Sequence, residues 1–255
     1  MKKRLKRFYF LFSSLVITLL YLPFTIARSA VGTKFFLTPD DSSAAVSKYS
    51  SVLPMPAPAP SFARTVYDSL QLNLSGLSRE AFNYAKKGFD KLVAEGRVLN
   101  QHIISIVDFS LPSNQKRLFV LDLENYRILF NTLVAHGRNT GREWATNFSN
   151  SPSSYKSSPG FYITAETYSG NHGYSLKLQG VERGINDNAY TRAIVLHGAS
   201  YVSDAFANAQ GYIGRSEGCP AVPEKMSTPI INAIKGGTCL FIYHPSYVNR
   251  SEVLN

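Results

Sequence analysis

The residue best equipped for nucleophilic chemistry is Cys219, within Gly214-Arg215-Ser216-Glu217-Gly218-Cys219-Pro220-Ala221-Val222. A thiol attacks as its thiolate, and a free thiol with a pKa of about 8.5 is only a few per cent ionised at neutral pH. It therefore needs a cation, a base or converging backbone N–H groups. Gly218 allows a sharp turn that can aim successive N–H groups at the charge developing on a carbonyl oxygen under attack. Arg215 adds positive charge nearby. The same residues also describe a Gly-Cys-Pro turn with an inert thiol.

A base is available upstream. His197 ends the apolar run Ala193-Ile194-Val195-Leu196, precedes Gly198, and lies 22 residues before Cys219. A base at the end of a buried strand is held rigidly and faces a loop, as catalytic constellations require. Two other histidines compete: His136 also ends a strand-like run before a glycine (Val134-Ala135-His136-Gly137), and His172 sits in Gly170-Asn171-His172-Gly173. Both are read as pocket-lining. A zinc site from His136, His172 and His197 lacks paired-ligand spacing, so no metal is expected. Cys239, the other cysteine, lies in the apolar run Thr238 to Tyr243. In an oxidising compartment it could pair with Cys219, which would leave no reactive thiol.

The elements that must position these groups are mostly short strands. Candidates are Ile103 to Phe109, Leu118 to Leu123, Ile128 to Ala135, Phe161 to Thr164, Ser175 to Leu178, Ala193 to His197 and Cys239 to Tyr243. Before them Ser78 can cap a helix whose buried face is Phe82, Ala85, Phe89, Leu92 and Val93, with Gly96 as its stop. A second helix is expected near Glu224 to Ile234. The fold class is mainly β, a sandwich or barrel with an N-terminal helix and a short helix after the cysteine. The long stretch from Gly137 to Gly160 has the length of a functional loop.

Charge and the N-terminus place the domain. The formal charge is +10, but residues 1–29 hold six basic residues and no acid, which leaves 21 basic against 17 acidic residues, or +4. So mild a balance, with no basic aromatic platform, argues against a nucleic-acid partner. Lys2 to Arg7, then the apolar run Phe8 to Leu22, have the form of an export signal, with cleavage sites after Ala27 or Ser29. Membrane anchoring through an uncleaved Phe8 to Ala27 fits the same residues. Residues 30–76, Ser-, Pro- and Ala-rich in their middle, read as a tether to a catalytic domain at 77–255, outside the cytoplasmic membrane, periplasmic or in the cell envelope. Oligomeric state has no signal in the sequence.

Papain-like enzymes place Cys before His, the reverse of the order here. Sortases have an Arg soon after the nucleophile, whereas the first Arg after Cys219 is Arg250. The sequence instead resembles the murein L,D-transpeptidase catalytic domain family, of the YkuD type. His197-Gly198 and Ser216-Glu217-Gly218-Cys219 match that family's His and Ser-x-Gly-Cys elements in order. Asp108-Phe109-Ser110, His136-Gly137-Arg138-Asn139 and Ser158-Pro159-Gly160-Phe161 extend the likeness over about Leu77 to His244. The resemblance implies a peptidoglycan stem peptide as substrate, Cys219 as nucleophile and His197 as base, with no cofactor. It further implies that Gly198 orients the imidazole through its carbonyl, with Ser216 beside the nucleophile and the N–H groups of Gly218 and Cys219 as oxyanion donors. Arg215, Arg138 and His136 are the expected substrate contacts; the two arginines suit a carboxylate. Two positions depart from the family pattern: Glu217 stands where His is frequent, and Ala221 where Arg or Asn is common. L,D-carboxypeptidase trimming and non-catalytic wall binding remain alternatives to transpeptidation.

Overall fold

A computed structural model describes residues 65–255. The leader expected at 1–29, and the tether from residue 30 to 64, lie outside the described residues. Packing begins ahead of Leu77. Helix α1 (Val66–Ser69) is capped by Thr65, whose Oγ1 accepts the Asp68 N–H at 3.3 Å. Tyr67, Leu70 and Leu72 are buried, and the Tyr67 hydroxyl donates to Leu77 O at 2.6 Å. These apolar residues bury themselves, which a spacer cannot do.

Helix α2 (Arg79–Ala94) starts as its sequence predicts, with Ser78 Oγ accepting the Ala81 N–H at 3.1 Å. Phe82, Ala85, Phe89 and Leu92 are buried, while Val93 is only partly so. Gly88 costs this helix about 1 kcal/mol relative to Ala. It is needed, because a Cβ there would lie 2.0 Å from the ring of Phe161.

Eight strands form one sheet: β1 (Ile103–Asp108), β2 (Leu118–Asp122), β3 (Arg127–Thr132), β4 (Gly160–Gly170), β5 (Gly173–Gly180), β6 (Val195–Ala199), β7 (Ala221–Pro223) and β8 (Cys239–Tyr243). Their order is β3-β2-β1-β8-β4-β5-β6-β7. Ala135, just past β3, bridges to Ala221 of β7, so the two ends of the sheet meet and the architecture is barrel-like. Strands β1, β2 and β8 are buried along their whole length and so read as largely apolar runs, interrupted by Ser105 and ended by Asp108 in β1 and by Asp122 in β2. Alternation sends Phe241 to the layer under α2, with Phe89, Phe119 and Phe161. Leu240 and Ile242 face the other layer, with Leu118, Leu176, Leu196 and the helix α4 residues Ile230, Ile231 and Ile234.

Helix α4 (Glu224–Ile234) falls at the expected residues; α3 (Asp204–Gln210), α5 (Pro245–Val248) and β7 were not foreseen. Strands β4 and β5 run longer than predicted, because their outer halves form a solvent-facing hairpin where Glu166 and Tyr168 need no apolar alternation. Strand β3 stops at Thr132, before Ala135. Among the described residues no helix is long and apolar enough to cross a membrane.

Candidate active site

A cleft of about 690 Å³ opens where the end of β6, the β4–β5 turn and the segment before β7 converge, and both Cys219 and His197 line it. Strand β6 delivers His197: it pairs with Ser175 on β5 and Ala221 on β7, so the backbone is held on both sides. The ring Nδ1 lies 2.9 Å from Gly198 O. The carbonyl can only accept, so Nδ1 carries the proton and the Nε2 lone pair is left open. Burial, and secondarily the charge of His172, lower the His197 pKa; the Gly198 bond opposes them. His197 is therefore neutral at pH 7, the form that can take a proton.

The Cys219 turn is built from Ser216. Its Oγ accepts the Gly218 N–H at 3.1 Å and donates to Cys219 O at 2.7 Å. Its backbone is tied to the other side of the cleft, with Ser216 N on His136 O (3.0 Å) and Arg138 N on Ser216 O (2.7 Å). Ser157 Oγ donates to Gly218 O at 3.1 Å and accepts the Gly137 N–H at 3.0 Å. Gly218 has φ +126°, and a Cβ there would lie 2.8 Å from Lys156 O. Only glycine fits this backbone and this approach.

Cys219 Sγ rests against the backbone of β6 at its entry. It receives the Val195 N–H at 3.4 Å and faces Ala193 O at 3.8 Å, while no hydrogen bond joins it to His197. Burial raises its pKa, and Glu217 adds to this; the Val195 N–H and Arg192 lower it less. A thiolate is thus not the resting state. The pair is a neutral thiol and a neutral imidazole, so a thiolate can form only if the thiol proton moves.

A family model described as the L,D-transpeptidase catalytic domain matches residues 73–243. The chain belongs to that family. No curated protein matches. Similar solved structures include the helical cell shape determining protein Pgp2 from Campylobacter jejuni, in a K307A form, at 12% identity and TM-score 0.39, covering 66% of this chain and 57% of that one. An L,D-transpeptidase from Mycobacterium smegmatis (9% identity, TM-score 0.36) covers 56% of this chain and 59% of its own. L,D-transpeptidase 3 from Mycobacterium tuberculosis gives 13% identity, TM-score 0.36, and 56% and 61% coverage. The chain thus spans about three fifths of the length of these structures.

Within this L,D-transpeptidase domain several sequence expectations need correcting. His136 does not line the cleft. It is fully buried, its Nδ1 accepting from Arg117 Nη2 (2.8 Å) and its Nε2 facing Gly141 O (3.2 Å). Burial first, then Arg117, push its pKa down to about 3. Of the two expected oxyanion donors, the Gly218 N–H is committed to Ser216 Oγ, whereas that of Cys219 has no partner among the described residues. Both cysteines are free, with Cys239 buried in β8, so no disulfide competes. Among the described residues no three His, Cys, Asp or Glu side chains cluster as metal ligands would.

The arginines divide. Arg138 and Arg215 do line the cleft. Arg138 stacks on Tyr155 at 3.8 Å and reaches Glu217 at 3.6 Å; Arg215 donates to Arg138 O (3.1 Å) and Gly141 O (3.3 Å). Sequence reasoning missed Arg192, which stands in the cleft wall beside Gly218. His172 does line the cleft, and its ring stacks on that of His197 with centroids 4.3 Å apart.

Proposed function

We propose that this domain is a peptidoglycan L,D-transpeptidase that works through a Cys219 thioester. The observation that carries the reading is a single cleft holding a thiol and a neutral imidazole whose Nδ1 is anchored and whose Nε2 is open. Cys219 Sγ attacks the carbonyl between the third stem residue and the terminal D-alanine. The S–H proton passes to His197 Nε2 as the C–S bond forms. The Cys219 N–H faces the oxyanion. His197 then returns the proton to the leaving amine, the C–N bond breaks and D-alanine departs. An acceptor amine attacks the thioester, gives its proton to His197 and releases Cys219 as a thiol. The cationic side chains of Arg138 and Arg215 meet the carboxylates of the stem. Export to the cell envelope, by the signal or anchor at 1–29, belongs to this reading, because stem peptides lie outside the cytoplasmic membrane.

Tetrapeptide stems incubated with the purified protein are expected to yield free D-alanine and cross-linked dimer by mass spectrometry, with neither from Cys219→Ser. Tripeptide without dimer would assign an L,D-carboxypeptidase instead. Stem binding with no bond cleaved would leave a wall-binding domain.

A further inference from the structure

A half-buried thiol that must become a thiolate is helped by positive charge, and the residues next to it in sequence do not supply it. Arg215 is turned toward the carbonyls of Arg138 and Gly141. Ala221 is fully buried in β7. The guanidinium that reaches the nucleophile turn comes from the loop before β6. Arg192 Nη2 would lie 3.4 Å from a Cβ on Gly218, the residue preceding the nucleophile. Its fork is tied to the facing loop: Nη1 donates to Ser149 O (2.9 Å) and Ser158 Oγ (2.8 Å), Nη2 to Ser154 Oγ (3.2 Å) and Lys156 O (2.7 Å). All four acceptors are uncharged, and Arg192 joins none of the ion pairs among the described residues. A half-buried guanidinium held this way keeps its full charge available to the cleft.

We propose that Arg192 is the cation that stabilises negative charge on Cys219 Sγ once its proton has left, and that the 149–158 loop exists in part to hold it there. This rests on the transpeptidase reading only in taking Cys219 as the nucleophile. The other groups facing the thiol do not do the same work. His197 must be neutral to act as base, and His172 is stacked on it from the β4–β5 turn. Tyr201, beyond β6, is pushed up to about 12 by burial and stays a neutral phenol. Glu217 opposes thiolate formation, and Arg138 lies against Glu217. Arg192 is the cation whose field lowers the thiol's pKa. A fork with several fixed donors also suits Arg better than Lys, since an ammonium cannot hold four acceptors in a plane.

The test is the pH dependence of iodoacetamide alkylation in the full chain, with adducts assigned to Cys219 or Cys239 by peptide mass spectrometry. Arg192→Gln is expected to move the alkylation midpoint up by about one pH unit, roughly a tenfold slower reaction at pH 7. Arg192→Lys keeps the charge and is expected to keep most of the midpoint while lowering the melting temperature. An unmoved midpoint in Arg192→Gln, or equal shifts in the Lys and Gln variants, would reduce Arg192 to a loop anchor. Should Arg192→Gln fail to fold, the Ser154→Ala, Ser158→Ala double variant loosens the fork and is expected to raise the midpoint partway; no rise overturns the proposal. A Cys219 unreactive in the parent protein would sink the nucleophile reading and this proposal together. A reactive Cys219 with no turnover of stems would sink the transpeptidase reading alone.

Discussion

Two histidines end strand-like apolar runs and precede glycines, and the molecule uses them in opposite ways. Val134-Ala135-His136-Gly137 and Val195-Leu196-His197-Gly198 are nearly the same local sequence. At His197, which lines the cleft, the Nδ1 proton goes to the carbonyl of the next residue and Nε2 has no hydrogen-bond partner among the described residues. At His136 the roles are reversed. Nδ1 is the acceptor, filled by the buried guanidinium of Arg117, whose other bonds go to Leu111 O and Val134 O. The Arg117 guanidinium also lies 4.7 Å above the ring of Phe109. A strand-end histidine thus keeps a nitrogen free for a proton only when nothing distant occupies it, and at His136 the occupant comes from Arg117, just ahead of β2.

The sharpest way to break the contrast is to remove each ring in turn. His197→Ala is expected to lower kcat by about 10²–10⁴-fold, the usual worth of a positioned general base, with little change in melting temperature. His136→Ala should do the reverse. It leaves a buried guanidinium short of one acceptor, which costs about 1–3 kcal/mol of stability. Turnover per folded molecule should stay within a few-fold. Denaturant melts and initial rates on both variants decide; a large kcat loss in a well-folded His136→Ala would put that residue back in the site.

The second expectation concerns acid. Burial and the Arg117 charge depress His136 from the ordinary histidine value of 6.5 to about 3 in the folded state. Between those values the unfolded chain holds a proton that the folded one lacks. Stability is therefore full above about pH 6.5 and falls as pH drops toward 3, with a slope of about 1.4 kcal/mol per pH unit from one such group. His197, lowered as well, adds in the same direction. Urea midpoints from pH 7 to 4 should show the fall, and His136→Gln should flatten it. An unchanged slope in that variant would place the acid sensitivity elsewhere.

Much of this was legible because it is local. The Ser78 cap, the period of Phe82 to Leu92 and the apolar runs of β1, β2 and β8 each declare themselves within a few residues. That Cys219 and His197 share one cleft follows from equally local cues, a glycine before one and a strand end at the other. What escaped was non-local or very short. Strand β7 is three residues long and exists by pairing with β6. The Arg117–His136 pair joins the residue before β2 to the segment after β3, and the acceptors of Arg192 lie 34 to 43 residues away. Helix α3 did carry a readable signal, since Ser203 Oγ caps it at the Phe206 N–H.

The smallest expected effect separates the two sites by what touches their rings. His172 stacks on His197 and lowers its pKa, whereas His136 meets Phe109 edge-on with centroids 5.9 Å apart and is governed by burial and Arg117. Replacing His172 by Ala removes a group that opposes protonation of His197. The His197 pKa should then rise, so the acidic limb of the rate profile moves to higher pH. The base is still anchored by Gly198, so kcat at its plateau should change only a few-fold. Rates on stem peptides from pH 5 to 8 read both quantities. Equal plateaus with a shifted limb would mark His172 as a tuning neighbour. A limb left in place would show that His197 owes its neutral form to burial alone, without the charged neighbour that assists burial at His136. A collapsed plateau would mean instead that His172 handles a proton in the reaction itself.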